Sequence, residues 1–172
     1  MGEAFDKVSR AIGLGYPGGP QIQKAAEKGN PEAIHFPRPC LEEEGYSFSF
    51  SGLKTAVLNY INTEKQAGRE INRADVAASF QEAVTDVLCE HTIEAAKQNN
   101  SKIITIAGGV ASNSRLREKM TEMAGKENIS VLYPPPVLCT DNAAMIACAG
   151  YFAYENGERA GLNLNAIPSL QL

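Results

Sequence analysis

Three short stretches carry side chains whose types and spacing could do chemistry. In AGGVASNSRLR (residues 107–117), Gly108 and Gly109 remove the side chains that would keep a planar or anionic ligand off the backbone, and the helix that follows offers N–H groups at its start. Asn113 adds a donor and an acceptor side by side, the complement of an adenine edge. The same residues also read as a tight connection followed by a helix cap. In CTDNAAMIA (139–147), Asp141 stands at the start of an apolar helix, either as a cap or as one oxygen ligand facing a cation or phosphate. Near the other end, an ionised Asp6 beside the Gly18-Gly19 turn could accept hydrogen bonds from two ribose hydroxyls, or could pair with Lys7 and Arg10 on a helix surface. HExxH, HxxxH, a Walker-type GxxxxGK[ST] and GxSxG are all missing, so catalysis by these residues alone is doubtful.

The elements that must position these residues follow from periodicity. Phe5, Val8 and Ile12 mark one face of a short helix ending at Gly13 to Gly15. A second short helix is predicted from Pro20 to Gly29-Asn30. Residues 31–45, with Glu42-Glu43-Glu44, form an exposed connection. Tyr46, Phe48 and Phe50 alternate with serines and predict a strand or extended segment with one apolar face, and Leu53, Val57 and Ile61 predict a helix followed by a charged loop to Asn72. A long helix is predicted over 72–98, with Val76, Phe80, Val84, Leu88 and Ile93 on one stripe. His91 beside that stripe and His35 read as isolated, non-ligand histidines. Ile103 to Ile106 predicts a buried strand, 112–126 a helix, Val131 to Tyr133 a second strand, and the stretch to Glu155 an Ala-rich helix. This alternation argues for an α/β layer with parallel pairing, in which ligands sit beyond the carboxyl ends of the strands. The tail from Gly157 is irregular.

The 172 residues are 44% hydrophobic and 21% charged, which suits a globular domain and excludes a disordered or fibrous chain. A net charge of −4 argues against gripping nucleic acid by bulk positive charge, leaving local clusters such as Arg115 and Arg117. No run reaches the roughly 20 apolar residues of a membrane span, and the charged opening carries no signal-peptide core, so a cytoplasmic location with no membrane partner is expected. Cys40, Cys89, Cys139 and Cys148 lack metal or disulfide spacing and read as reduced packing residues.

Taken together, GEAFDKVSRAIGLGYPGGP, FSFSGLKTAV, VAASFQEAV, AGGVASNSRLR and CTDNAAMIA resemble, in order and spacing, the second half of the TsaD family, over residues 2 to about 152. These are tRNA threonylcarbamoyladenosine synthase subunits, formerly labelled O-sialoglycoprotein endopeptidases. The resemblance implies a helix-rich α/β chain that is part of an actin-like ATPase fold (ASKHA, RNase H-like) with a helical insertion. It further implies a single C-terminal fragment over 1–172: a mainly helical part (2–100), a strand-helix-strand-helix part (101–156) and a tail (157–172). The implied activity is acyl transfer of threonylcarbamoyl from threonylcarbamoyl-AMP to the N6 amine of the adenosine beside a tRNA anticodon. Asp6 and Gly19 match the ribose side of the nucleotide site, Asn113 its pocket, beside the Gly108-Gly109 turn read above as ligand-binding, and Gln23 a position where some members have an acidic substrate contact. Asp141 matches a ligand of one iron or zinc ion, whose paired histidines are expected upstream of this segment, so the metal site here should be incomplete and the fragment inactive alone. No catalytic residue is assigned. Implied partners are tRNA, an adenine nucleotide and other subunits of the transfer complex, and the uncovered strand edges of a partial fold invite self-association. An adenine-nucleotide-binding ATPase-like module is the alternative. A metalloprotease would need a helix-borne histidine pair and glutamate, which the sequence lacks.

Overall fold

The computed structural model describes residues 2–38 and 48–166. The triple-glutamate run, Cys40, Tyr46 and the last six residues lie outside them. Helix α1 (Gly2–Ala11) buries Phe5 and Val8, and it is closed by the Leu14 N–H bonding the Ser9 carbonyl at 2.9 Å. Gly13 and Gly15, at φ +75° and +90°, make that reversal possible. Helix α2 (Gly18–Ala26) begins two residues before the predicted Pro20 start and ends before Gly29. Helix α3 (Ser51–Gln66) buries Leu53, Val57 and Ile61, but it also absorbs residues 62–66, the first part of the stretch predicted as a charged loop. Glu64 and Lys65 are good helix formers. The turn ends at Gly68 (φ +68°), where Arg69 folds back in a double hydrogen bond to the Glu64 carboxylate at 2.6 and 2.7 Å.

Helix α4 (Arg73–Gln98) is the backbone of the molecule. Asn72 caps it by accepting from the Ala74 and Asp75 N–H groups at 3.0 and 3.3 Å. Its first half buries Val76, Phe80 and Val84 against α1, α2 and α3, with the Phe5 and Phe80 rings edge to face at 5.0 Å. Its second half places Cys89, Ile93 and Ala96 in a separate cluster with Ile104, Leu116, Met120 and Ile129. Of the strand or extended segment expected, Phe48 and Phe50 form no strand: their rings stack 6.4 Å apart in irregular chain, and Phe48 also stacks on His91. Apolar alternation without a partner edge gives the backbone nothing to pair with.

The second cluster supports a small parallel sheet. Strand β1 (Ile103–Thr105) pairs with β2 (Ser130–Leu132), with Ile104 opposite Val131. Only Ile104 of the first strand is buried, and Ile103 is 54% exposed, so the buried-strand expectation holds for one residue. Helix α5 (Ser114–Lys126), preceded by a 3-10 turn at Gly109–Ser112, connects them and packs on α4. A second 3-10 turn (Pro136–Leu138) leads to α6 (Ala143–Glu155), which buries none of its residues. Cys89 and Cys139 are buried as expected, whereas Cys148 on α6 is exposed. None of the helices is long and apolar enough to cross a membrane among the described residues.

Candidate functional site

A cavity of about 380 Å³ opens between α1, the start of α2 and the 3-10 turn before α5. It is lined by Phe5, Asp6, Gly19, Gln23, Gly109 and Asn113, with Gly2, Pro20, Val110 and Ser112 completing the wall. Five of the seven nominated residues therefore meet there, although they span more than a hundred positions of sequence. Gly108, with φ +80°, is the hinge into the 3-10 turn and stands just outside the lining.

The polar groups around the cavity are held by a cap-to-cap network. Asp6 Oδ1 accepts from the Gly18 N–H at 2.7 Å, at the first residue of α2. Oδ2 of the same carboxylate has no hydrogen bond among the described residues. The pairing of Asp6 with Lys7 or Arg10 does not form, because Lys7 turns to Glu3 and Arg10 lies over the Tyr16 ring at 5.5 Å. Gln23 Oε1 accepts from the Ser114 N–H at 3.1 Å, and Asn113 Oδ1 accepts from the Leu116 N–H at 2.9 Å. The start of α5 is thus already capped, leaving, among the described residues, only the Arg115 N–H of its first three without such a bond. The expectation of several open N–H groups is corrected accordingly. Asn113 Nδ2 donates to Gln81 Oε1 at 2.9 Å, so two of the four hydrogen bonds this amide can make are internal.

Gly18 and Gly19 differ in kind. A Cβ on Gly18 would fall on the Phe5 carbonyl oxygen and the Asp6 backbone, whereas one on Gly19 would meet nothing within 4 Å. Gly18 is demanded by the α1–α2 crossing; Gly19 keeps the cavity open.

Beside the cavity, α4 braces α5 through charge. Glu82 accepts from Arg115 Nε and Nη2 at 2.8 and 2.9 Å and from Lys119 at 2.6 Å; Lys119 also meets Asp86, which pairs with Arg38. The Arg115 hydrogen bonds pull the Glu82 carboxyl down to about 2 against the opposing effect of burial, with Lys119 assisting. Burial works against the charge of Lys119, but hydrogen bonds to Asp86 and Glu82 outweigh it and raise its pKa. Burial pushes the Cys89 thiol up to about 12, which keeps it an inert packing group. Sequence reading missed this network and Gln81, because pairs 32 to 48 residues apart leave no local pattern.

Asp141 does not line the cavity. It is exposed, one residue beyond Thr140, whose methyl lies 3.8 Å from where a Gly109 Cβ would be. Asn142 rather than Asp141 caps α6, accepting from the Met145 N–H at 3.0 Å. The loop carrying Asp141 is anchored by Arg117, which donates to the Pro134 carbonyl at 2.9 Å and to Cys139 Sγ at 3.1 Å, and sits over the Tyr133 ring. Among the described residues no group of three or more His, Cys, Asp or Glu could hold a metal ion. One exposed carboxylate does not make an iron or zinc centre, so the residues present do not by themselves fit the metal implied by the resemblance.

Comparison with known proteins agrees with the arrangement of motifs. The family profile described as TsaD, tRNA N6-adenosine threonylcarbamoyltransferase, matches residues 1–148. Curated relatives of that name are 57% identical over 171 residues in Clostridioides difficile (strain 630) and 59% identical over 172 residues in Clostridium novyi (strain NT). Each alignment covers 99% of this chain but only 51% and 50% of the relative. The chain spans about half the length of the curated relatives it matches. With the profile covering most of its residues and with the cavity built from the same motifs, this chain belongs to the TsaD family of tRNA N6-adenosine threonylcarbamoyltransferases.

Proposed function

We propose that this chain supplies the nucleotide-side portion of a tRNA threonylcarbamoyl transferase, holding the adenylate half of threonylcarbamoyl-AMP in the cavity between α1, α2 and the 3-10 turn. The observation that carries the reading is the meeting of Asp6, Gly19, Gln23, Gly109 and Asn113 around one space of about 380 Å³, within the usual range of roughly 300–1,000 Å³ for small-molecule sites. Asp6 Oδ2 accepts from the ribose hydroxyls while Oδ1 stays on α2. Phe5, Pro20 and Val110 supply apolar walls for the base, and the bare backbone at Gly19 and Gly109 allows close approach. In the reaction, the N6 amine of the tRNA adenosine attacks the carbamoyl carbon. The new C–N bond replaces the bond to the phosphate oxygen, the amine proton is lost to solvent, and AMP leaves from the cavity. Asp141 would add one carboxylate oxygen to a metal centre whose other donors lie beyond these residues. In this reading the strand-helix-strand layer is part of an actin-like ATPase fold, working in the cytoplasm with the other subunits of a transfer complex.

Calorimetric titration with AMP tests the site. Gly19→Leu should weaken binding about tenfold or more. Because a Cβ at this position meets nothing within 4 Å and the rest of the side chain has the cavity to enter, the melting temperature should stay within about 2 °C of the parent. An unmodified chain that binds no AMP at millimolar concentration, or a Gly19→Leu chain that binds it as well as the parent, would overturn the reading.

A further inference from the structure

The arginines singled out in the sequence as RNA contacts, Arg115 and Arg117, are both held internally: one by Glu82 and Glu118, the other by Ala111, Pro134, Cys139 and the Tyr133 ring. Cations without a carboxylate partner gather elsewhere. A second concavity of about 380 Å³, between the ends of α1 and α3 and the start of α4, is lined by Arg10, Lys65, Arg69 and Arg73 against one carboxylate, Glu70. Arg69 is neutralised by its two hydrogen bonds to the Glu64 carboxylate, but Arg10, Lys65 and Arg73 form no salt bridge among the described residues. Arg73 makes only a 3.5 Å contact to the Gly13 carbonyl, and Arg10 rests on the Tyr16 ring.

We propose that Arg10, Lys65 and Arg73 form a phosphate-binding patch that takes the backbone of the RNA substrate. The proposal rests on the reading of the chain as part of a tRNA-modifying enzyme. All three side chains are exposed, each on a different helix, and the successive phosphates of a polyanion can offer each of them an anionic partner. Helix α1 links the patch to the nucleotide cavity: Asp6 and Arg10 are four residues apart on one face, about 6 Å along the axis. In a chain of net charge −4, local cations are the means by which a polyanion can be held beside the site.

The test is fluorescence anisotropy of an unmodified tRNA transcript with the 172-residue chain between 50 and 200 mM salt. With Arg10→Gln, Lys65→Gln and Arg73→Gln combined, the slope of log K against log salt should fall by about 2, at roughly 0.7 per lost phosphate contact. Lys65→Gln alone, at an exposed side chain without hydrogen bonds among the described residues, should lower it by about 0.7. A control triple of Lys97→Gln, Lys102→Gln and Lys126→Gln removes the same charge; Lys97 lies about 36 Å along α4 from Arg73. It should leave the slope unchanged. Equal losses in both triples, an unchanged slope in the patch triple, or no tRNA binding by the parent chain would overturn the patch. AMP titration separates the two readings: if AMP binds but the slope does not respond, the patch alone fails. If the slope responds but AMP does not bind, the nucleotide site alone fails.

Discussion

Gly18 and Gly19 are adjacent and identical in composition, yet they are glycines for opposite reasons. The first is squeezed against the α1 backbone; the second faces open space. Gly18→Ala should therefore destabilise the chain by about 1–3 kcal/mol, because the methyl can be accommodated only by separating α1 from α2. Gly19→Ala should be neutral or stabilising by up to about 1 kcal/mol, since it stiffens a helical residue without a clash. Urea unfolding of the two variants checks the pair, and a Gly18→Ala chain as stable as the parent would remove the packing argument. The sequence shows two glycines; which one serves the fold and which the cavity depends on the Asp6 and Phe5 backbone, twelve and thirteen residues away.

At the scale of elements, the site is only as well ordered as the grip of α4 on α5. Successive residues of α4 do this: Gln81 holds the amide of Asn113, and Glu82 holds Arg115 and Lys119. Glu82 has a folded-state pKa depressed from 4.5 to about 2, so its contribution is fully present above about pH 4.5 and is lost as pH falls through about 2. Glu82→Gln should lower stability at pH 7 by about 1 kcal/mol, after allowance for a pair that is partly solvent-screened. The gap between parent and variant should close between pH 4.5 and 2. Denaturant midpoints at several pH values measure that gap, and a constant gap would show that the charge is not what binds α4 to α5. The helices themselves were legible: the Phe5, Val8, Ile12 spacing and the Asn72 cap act within a turn or two. The continuation of α3 to Gln66 was not, because its charged residues read as loop while their intrinsic helix preference and the Arg69–Glu64 closure extend the helix.

The whole molecule has two buried clusters strung along α4 and, among the described residues, apolar side chains left exposed on the sheet and on α6. Parallel strand pairs are ordinarily covered on both faces, yet Ile103 and Leu132 are each 54% exposed, and α6 leaves Ile146 69% and Phe152 60% exposed. Exposure on this scale favours self-association. Sedimentation velocity should show the 172-residue chain associating with increasing concentration, and Ile146→Lys with Phe152→Lys should shift it toward monomer. A sedimentation coefficient independent of concentration would count against it.

The sequence by itself determined the helices, the strand-turn-helix order and the family, because helical periodicity, end caps and motif order are local properties carried in consecutive residues. It could also nominate Asp6, Gly19, Gln23, Gly109 and Asn113. Only the tertiary structure decided that these five share one cavity, that half of the Asp6 carboxylate and much of the Asn113 amide are already held by the protein, and that Asp141 stands outside. Those outcomes depend on pairs such as Gln23 with Ser114, 91 residues apart, whose meeting is set by how α1, α2 and α5 pack around α4.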